Sequence, residues 1–208
     1  MQNNLPKAII FDLGGVLIDF DHRIAARRIS KFTGNTPEEI FNLFFDSKLT
    51  NLFEEGKIQP ENFFLEAKKI LHANIEYREF LPIWNEIFFL SDKNRQVYRL
   101  AKILRQKYKL ALLTNINTLH LEYLKRNFSV FDVFHRILAS CELGLTKPDP
   151  LIYKKTLNIL GLGPEETVYF DDRPELIEAA SRLGVRSFLF SSVKQLKEDL
   201  ASCIIHVE

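Results

Sequence analysis

Apolar residues along this chain follow two different rhythms. Short unbroken apolar runs occur at 8–12, 110–114, 168–171 and 187–190, with a weaker one at 136–139. Runs this short and rich in β-branched and aromatic residues predict buried strands. Between the later runs the apolar positions recur every three or four residues. In 92–106, Val97, Leu100, Ala101 and Leu104 follow i, i+3, i+4, i+7, the stripe of an amphipathic helix. Helices are predicted similarly over 119–127, 151–160 and 175–183. Strands alternating with helices predict an α/β fold with a doubly wound, mostly parallel, Rossmann-like sheet.

The stretch 19–91 breaks this alternation. It contains no convincing strand, and helical patterning appears at 22–32, 37–45, 59–71 and 76–89. A normal crossover between parallel strands needs only a dozen or so residues. The segment therefore reads as a helical cap of residues 19–91, inserted into a core of residues 1–18 and 92–208. Its aromatics include Phe41, Phe44, Phe45, Phe53, Phe63, Phe64, Phe80, Trp84, Phe88 and Phe89. Such residues most often pack a helical unit's own interior, the alternative being a substrate-lining or dimer face. Helix boundary signals agree with the plan. Asp21, Thr36-Pro37 and Asp149-Pro150 are start signals, and Gly161 and Gly184 are stops.

Composition narrows the function. The 208 residues carry 28 Lys+Arg against 27 Asp+Glu. That balance disfavours a nucleic-acid binder resting on phosphate contacts, and a polybasic membrane anchor. No apolar run approaches the length of a membrane span, and the start lacks a secretory pattern. A soluble, cytoplasmic protein is expected. Cys141 and Cys203 have no partner at metal-ligand spacing and read as reduced bystanders.

Four polar groups fall at strand ends or in the loop just beyond. They are Asp12, Thr114-Asn115, Lys147, and Asp171-Asp172. In a parallel sheet all four converge on the carboxyl edge, where such folds bind ligands. Gly14 and Gly15 follow Asp12 at once, permit a sharp turn and bring backbone N–H groups toward a ligand, Gly15 being a candidate phosphate contact. Taken singly, each group has a structural reading: an N-cap at Thr114-Asn115, a solvated loop lysine, a capping Asp171-Asp172. Taken together they describe a phosphoryl-transfer site. Three clustered carboxylates repel one another unless a cation offsets them, and oxygen ligands suit Mg²⁺. An ammonium and neutral donors beside that cation would face phosphoryl oxygens, and a carboxylate can attack phosphorus.

The order Asp12…Thr114-Asn115…Lys147…Asp171-Asp172, with Leu143-Gly144-Leu145-Thr146-Lys147-Pro148-Asp149-Pro150, resembles the four motifs of the haloacid dehalogenase-like hydrolase superfamily. The insert is similar to that superfamily's first class of helical cap. The resemblance implies a Mg²⁺-dependent phosphatase of a small phosphorylated metabolite. It implies Asp12 as nucleophile and metal ligand, the Gly14 carbonyl as a second ligand, and Asp171 and Asp172 as the remaining ones. Thr114 and Asn115 would hold phosphate, and Lys147 would offset charge.

Two positions depart from the pattern. Phosphatases of the superfamily usually carry a second Asp, an acid/base, where this chain has Gly14. A subfamily reading Phe-Asp-Leu-Gly-[Asn/Gly]-Val, to which 11–16 and 114–120 are similar, includes sugar-1-phosphate phosphatases, whose anomeric leaving group needs less protonation. His120, Asp19 and Asp21 are candidate replacements for the acid. Leu176 stands where relatives often have Asn, at a cost to metal positioning. Rival readings are a 2-haloacid dehalogenase using Asp12 on carbon, and a non-catalytic module sensing a phosphorylated ligand. The chain would be a monomer or a homodimer.

Overall fold

A computed structural model describes residues 5–44 and 47–205. Strand β1 (Ala8–Phe11) leads to a two-residue strand β2 (Asp19–Phe20). Five helices follow: α1 (His22–Ile29), α2 (Pro37–Phe44), α3 (Lys48–Glu54), α4 (Pro60–Ile70) and α5 (Tyr77–Asn85). The chain returns through β3 (Phe88–Phe89) into α6 (Asp92–Leu104) and β4 (Lys109–Thr114). It continues through α7 (Thr118–Asn127), β5 (Arg136–Ala139), α8 (Ser140–Leu143) and α9 (Pro150–Leu160). It then forms β6 (Thr167–Asp171), α10 (Pro174–Ser181), β7 (Arg186–Leu189) and α11 (Val193–Ser202).

The sheet has the order β5-β4-β1-β6-β7, and every pairing is parallel. Side chains alternate between its faces, as the strand period requires. Ile9, Phe11, Leu110, Leu112, Val168 and Phe170 pack on one side with apolar residues of α6, α7 and α11. Ala8, Ile10, Ala111, Leu113 and Tyr169 pack on the other with residues of α9 and α10. Both faces are thus covered, which explains why these strands read as continuous apolar runs.

Helices α1, α2, α4 and α5 enclose a separate apolar interior with Phe53 of α3. Phe63 stacks on Phe53 at 4.2 Å between ring centroids and lies 4.9 Å from Trp84. Phe44, Phe53, Phe63, Phe64, Phe80 and Trp84 are all buried in this unit, so most of the aromatics do pack its own interior. Phe45 lies outside the described residues. Phe88 lines the ligand cavity described below.

The expected strands and helices are present, with ends shifted by three residues at most except for the helix expected over 76–89. The insert differs from expectation at its two junctions. β2 and β3 pair antiparallel, Asp19 with Phe89 and Phe20 with Phe88. Strands of two residues show no alternation, and their partners are remote in sequence, so no local pattern announces them. The helix expected over 76–89 accordingly stops at Asn85. Three further helices, α3, α8 and α11, also went unforeseen. α3 is a helix of seven residues capped by Ser47, too short to show a clear period. α11 carries Val193, Leu196 and Leu200 at i, i+3, i+7, a legible but weak signal.

Truncating a fully buried aromatic leaves a cavity that costs about 3–5 kcal/mol. Phe63→Ala is expected to lower unfolding stability in urea by that amount. A loss below about 1 kcal/mol would contradict the packing described.

Candidate active site

Register places the carboxylates. Phe11 is paired with Leu112 on one side and Phe170 on the other. Asp12, one residue beyond, still donates its N–H to the Phe170 carbonyl at 2.8 Å. It is thereby held beside Asp171 at the end of β6 and beside Thr114 at the end of β4. Carboxylate oxygens of Asp12, Asp171 and Asp172 lie within 4.8 Å of one another.

Lys147 enters this cluster from the loop after α8. Its ammonium is 2.7 Å from Asp12 Oδ1 and 2.6 Å from Asp171 Oδ2. The Leu113 carbonyl and the Tyr169 hydroxyl each lie 3.1 Å away. An ammonium has three protons, so four partners saturate it. The Tyr169 hydroxyl in turn donates to Asp171 Oδ2. Lys147, Asp12 and Asp171 are all buried. Burial pushes Asp12 up to about 7, Asp171 and Asp172 adding to the rise and Lys147 opposing it. Burial alone would lower Lys147, but Asp12 and Asp171 overcome it and raise the ammonium above its ordinary value. Asp172 is raised by burial and by Asp171. Three carboxylates against one ammonium leave an excess of negative charge that suits a divalent cation.

Thr114 is buried at the end of β4 and lines the cavity. Asn115 also faces it, but its side-chain amide is engaged elsewhere. Asn115 Oδ1 accepts from the Lys147 N–H and Nδ2 donates to the Lys147 carbonyl, both at 2.8 Å. Asn115 thus clamps the backbone that carries the lysine. The expected N-cap of α7 is Asn117 rather than Thr114-Asn115.

Gly15 does not reach the cavity. Its N–H is donated to the Ile18 carbonyl at 2.9 Å, and its carbonyl accepts from Lys93 at 2.7 Å. Its φ of +68° is the left-handed region, and a Cβ there would overlap Asp172 Oδ2. Glycine at 15 is needed so that Asp172 can approach. Gly14 lines the cavity with Asp12 and Leu13.

The cavity has a volume of about 450 Å³. Asp12, Thr114 and Lys147 form its floor, and Phe20, His22, Glu54 and Phe88 from the insert and its junctions close it from above. Leu176 is buried beside it, and its carbonyl accepts from the Tyr153 hydroxyl at 3.1 Å.

Each of the replacements expected for the acid at position 14 is engaged in a structural hydrogen bond. His120 Nε2 donates to the Trp84 carbonyl and Nδ1 accepts from Asn117, both at 3.0 Å. Burial pushes it down to about 3, so it is a neutral pin between α7 and α5. Asp19 Oδ1 accepts from Lys93 at 3.0 Å and Asn94 at 3.3 Å. Asp21 caps α1 through the Arg23 N–H.

Several contributors were not anticipated. Tyr169 lies two residues before Asp171 on the same strand face, a relation its spacing already contained. Lys93, Asn94 and Ser140 were not foreseeable, because each acts on a distant backbone. Ser140, for example, donates to the Glu54 carbonyl at 2.6 Å and ties α3 to the core.

Known proteins resemble this chain in sequence and fold. The haloacid dehalogenase-like hydrolase family matches residues 6–184, and the chain belongs to that family. It is 26% identical over 188 residues to a D-ribitol-5-phosphate phosphatase of Bacteroides thetaiotaomicron, covering 88% of this chain and 90% of the relative. It is 27% identical over 196 residues to phosphatase MT3486 of Mycobacterium tuberculosis, covering 92% and 90%. The crystal structure of HAD family enzyme bt-2542 of B. thetaiotaomicron, in complex with magnesium and inorganic phosphate, matches with a TM-score of 0.79 at 28% identity. The match covers 90% of this chain and 96% of that one.

Left-handed backbone costs a non-glycine residue about 1–2 kcal/mol. Gly15→Ala is expected to lose at least that in urea unfolding, because Asp172 must also move. Unchanged stability would contradict the close approach of Asp172.

Proposed function

We propose that this chain is a Mg²⁺-dependent phosphatase of a small phosphomonoester, a sugar or sugar-alcohol phosphate, acting through an aspartyl-phosphate on Asp12. The observation that carries the reading is the buried cluster of Asp12, Lys147 and Asp171 with its excess negative charge, at the floor of a 450 Å³ cavity. The substrate and ligands of the relatives above support it. Residues 1–18 and 92–208 act as the core, and 19–91 as the cap that closes over the substrate.

The donor set fits a hard cation: carboxylates of Asp12, Asp171 and Asp172, joined by the Gly14 carbonyl. Bound there, Mg²⁺ supplies the charge that brings a phosphate dianion beside three carboxylates. Asp12 attacks phosphorus, the bond to the leaving oxygen breaks, and water later releases inorganic phosphate from the acyl-phosphate. Lys147 offsets charge on Asp12 and on the phosphoryl oxygens, and Thr114 donates its hydroxyl to them. Asn115 positions Lys147. Tyr169 holds Asp171 in place.

The excess carboxylate favours this reading over a metal-independent dehalogenase, which would leave Asp172 without a task. The test is turnover of p-nitrophenyl phosphate and a sugar-phosphate panel. Chelation and Asp12→Asn are each expected to abolish it. Turnover that survives both, or halide release from a 2-haloacid in chelator, would overturn the reading.

Asp12 also sets a pH dependence. Its folded pKa of about 7 exceeds the ordinary 3.8. The metal-free fold therefore holds a proton that the unfolded chain has lost, and its stability falls as pH rises from about 4 to about 7. A cation binds the ionised form, so Mg²⁺ is expected to raise the melting temperature more at pH 7.5 than at pH 5. An equal shift at both would contradict the assignment of Asp12 as a ligand.

A further inference from the structure

We propose that Phe20 and Phe88 form an aromatic platform for the carbon skeleton of the substrate, and that the platform selects a cyclic sugar phosphate over its open-chain counterpart. This rests on the phosphatase reading and narrows its substrate class.

Gly14 makes room for the platform. A Cβ built there would lie 2.7 Å from Phe20 Cε1 and 3.4 Å from Cδ1. The Phe20 ring thus occupies the place of a side chain two residues beyond Asp12. An apolar surface stands there in place of a polar group.

The two rings are neighbours. β2 and β3 pair Phe20 directly with Phe88, which puts both side chains on one face of the ribbon. Their centroids are 6.2 Å apart, and both residues line the cavity above Asp12. Phe20 remains 41% exposed, and Phe88 is half-buried. Ile116 and Leu176 continue the apolar lining. Apolar surface left open inside a ligand cavity is surface for the ligand to cover.

The platform is also held still. The Asp21 N–H donates to the Ile87 carbonyl at 3.0 Å and extends the ribbon. Asp19, at its start, is bound by Lys93 and Asn94. Phe20 packs edge-to-face with His22 at 5.1 Å, and Phe88 with His120 at 5.0 Å. A surface already in place spends little binding energy on being ordered.

These features favour a ring over a chain. In the proposed reaction the phosphoryl group sits at Asp12, so the carbons next to the leaving oxygen lie beside Gly14 and Phe20. A pyranose carries C–H bonds across one face and hydroxyls around its rim. That face meets the negative face of an aromatic ring favourably. An open-chain polyol presents no such face until several torsions are frozen, which costs affinity. The cavity of about 450 Å³ has the size of a small-molecule site.

The experiment measures kcat/KM, with Mg²⁺, for D-glucose 6-phosphate, D-glucitol 6-phosphate and p-nitrophenyl phosphate. The two sugar substrates share a primary leaving oxygen and differ in ring closure. The proteins are wild type, Phe20→Leu, Phe88→Leu and Phe20→Tyr. Inhibition by inorganic phosphate reports the cavity floor, and melting temperatures report folding. An aromatic face is worth about tenfold in affinity, and wild type is expected to prefer glucose 6-phosphate by about that factor. Each leucine variant is expected to lose most of this preference through KM, with the phosphate inhibition constant unchanged. Phe20→Tyr is expected to keep it. A wild type without the preference overturns the proposal. So does a preference that survives both leucine variants, an equal loss on both sugar substrates, or a matching rise in the phosphate inhibition constant. A wild type active on the aryl ester but on neither sugar phosphate also overturns it, whereas one inactive on all three refutes the phosphatase reading itself. If the leucine variants do not fold, Gly14→Ala decides. Its Cβ must displace the Phe20 ring, so the preference is expected to fall, and an unchanged preference overturns the proposal.

Discussion

Three carboxylates share one buried ammonium, and the rest of the site follows from that imbalance. A buried charge is tolerated only when it is paired and hydrogen-bonded. Lys147 meets that condition for Asp12 and Asp171 and has no proton left for Asp172. The residual negative charge of the cavity floor suits the cation of the proposed reaction. A phosphate dianion can approach only once a cation has reversed the local field.

The fold's task is to hold this imbalance in place. Parallel register puts Asp12 and Asp171 on neighbouring strands at the same edge. Asn115 fixes the backbone of Lys147 with both atoms of its amide. Gly15 gives up a side chain so that Asp172 can close the cluster. Contacts outside the sheet then decide what else enters. Lys93 joins the Gly15 carbonyl to Asp19 at the start of the insert. His120 and Ser140 bind backbone carbonyls of α5 and α3. The insert is therefore tied to the elements that carry the charges, and the cavity between them is a consequence.

What was legible in the sequence is whatever local pattern determines. Strands buried on both faces announce themselves as apolar runs, and the polar residue that ends each run marks the sheet's working edge. Asp12, Thr114 and the Asp171-Asp172 pair stand at such ends and Lys147 in a loop beyond one, and the structure brings them together. Contacts that depend on a remote partner were not. The β2–β3 ribbon has no periodicity, and Asn115 looks like a phosphate ligand until its lysine partner is placed. Gly15 reads as a phosphate-binding turn, yet its N–H is spent on Ile18 and its real constraint is Asp172. His120 was a candidate replacement for the acid, and its burial between Asn117 and Trp84 makes it a pin. Gly14 read as a loss. Only the position of Phe20 shows that the space is occupied.

The central claim is that the Asp12 carboxylate, held by Lys147, is the group that takes the phosphoryl. The most direct measurement is acid-quenched turnover with Mg²⁺ and p-nitrophenyl phosphate, followed by borohydride reduction and peptide mass spectrometry. An acyl-phosphate at Asp12 is reduced to homoserine at that position. The account predicts that conversion at Asp12 in wild type and nowhere else. Steady turnover with Asp12 unmodified, or with the label on another residue, would contradict it.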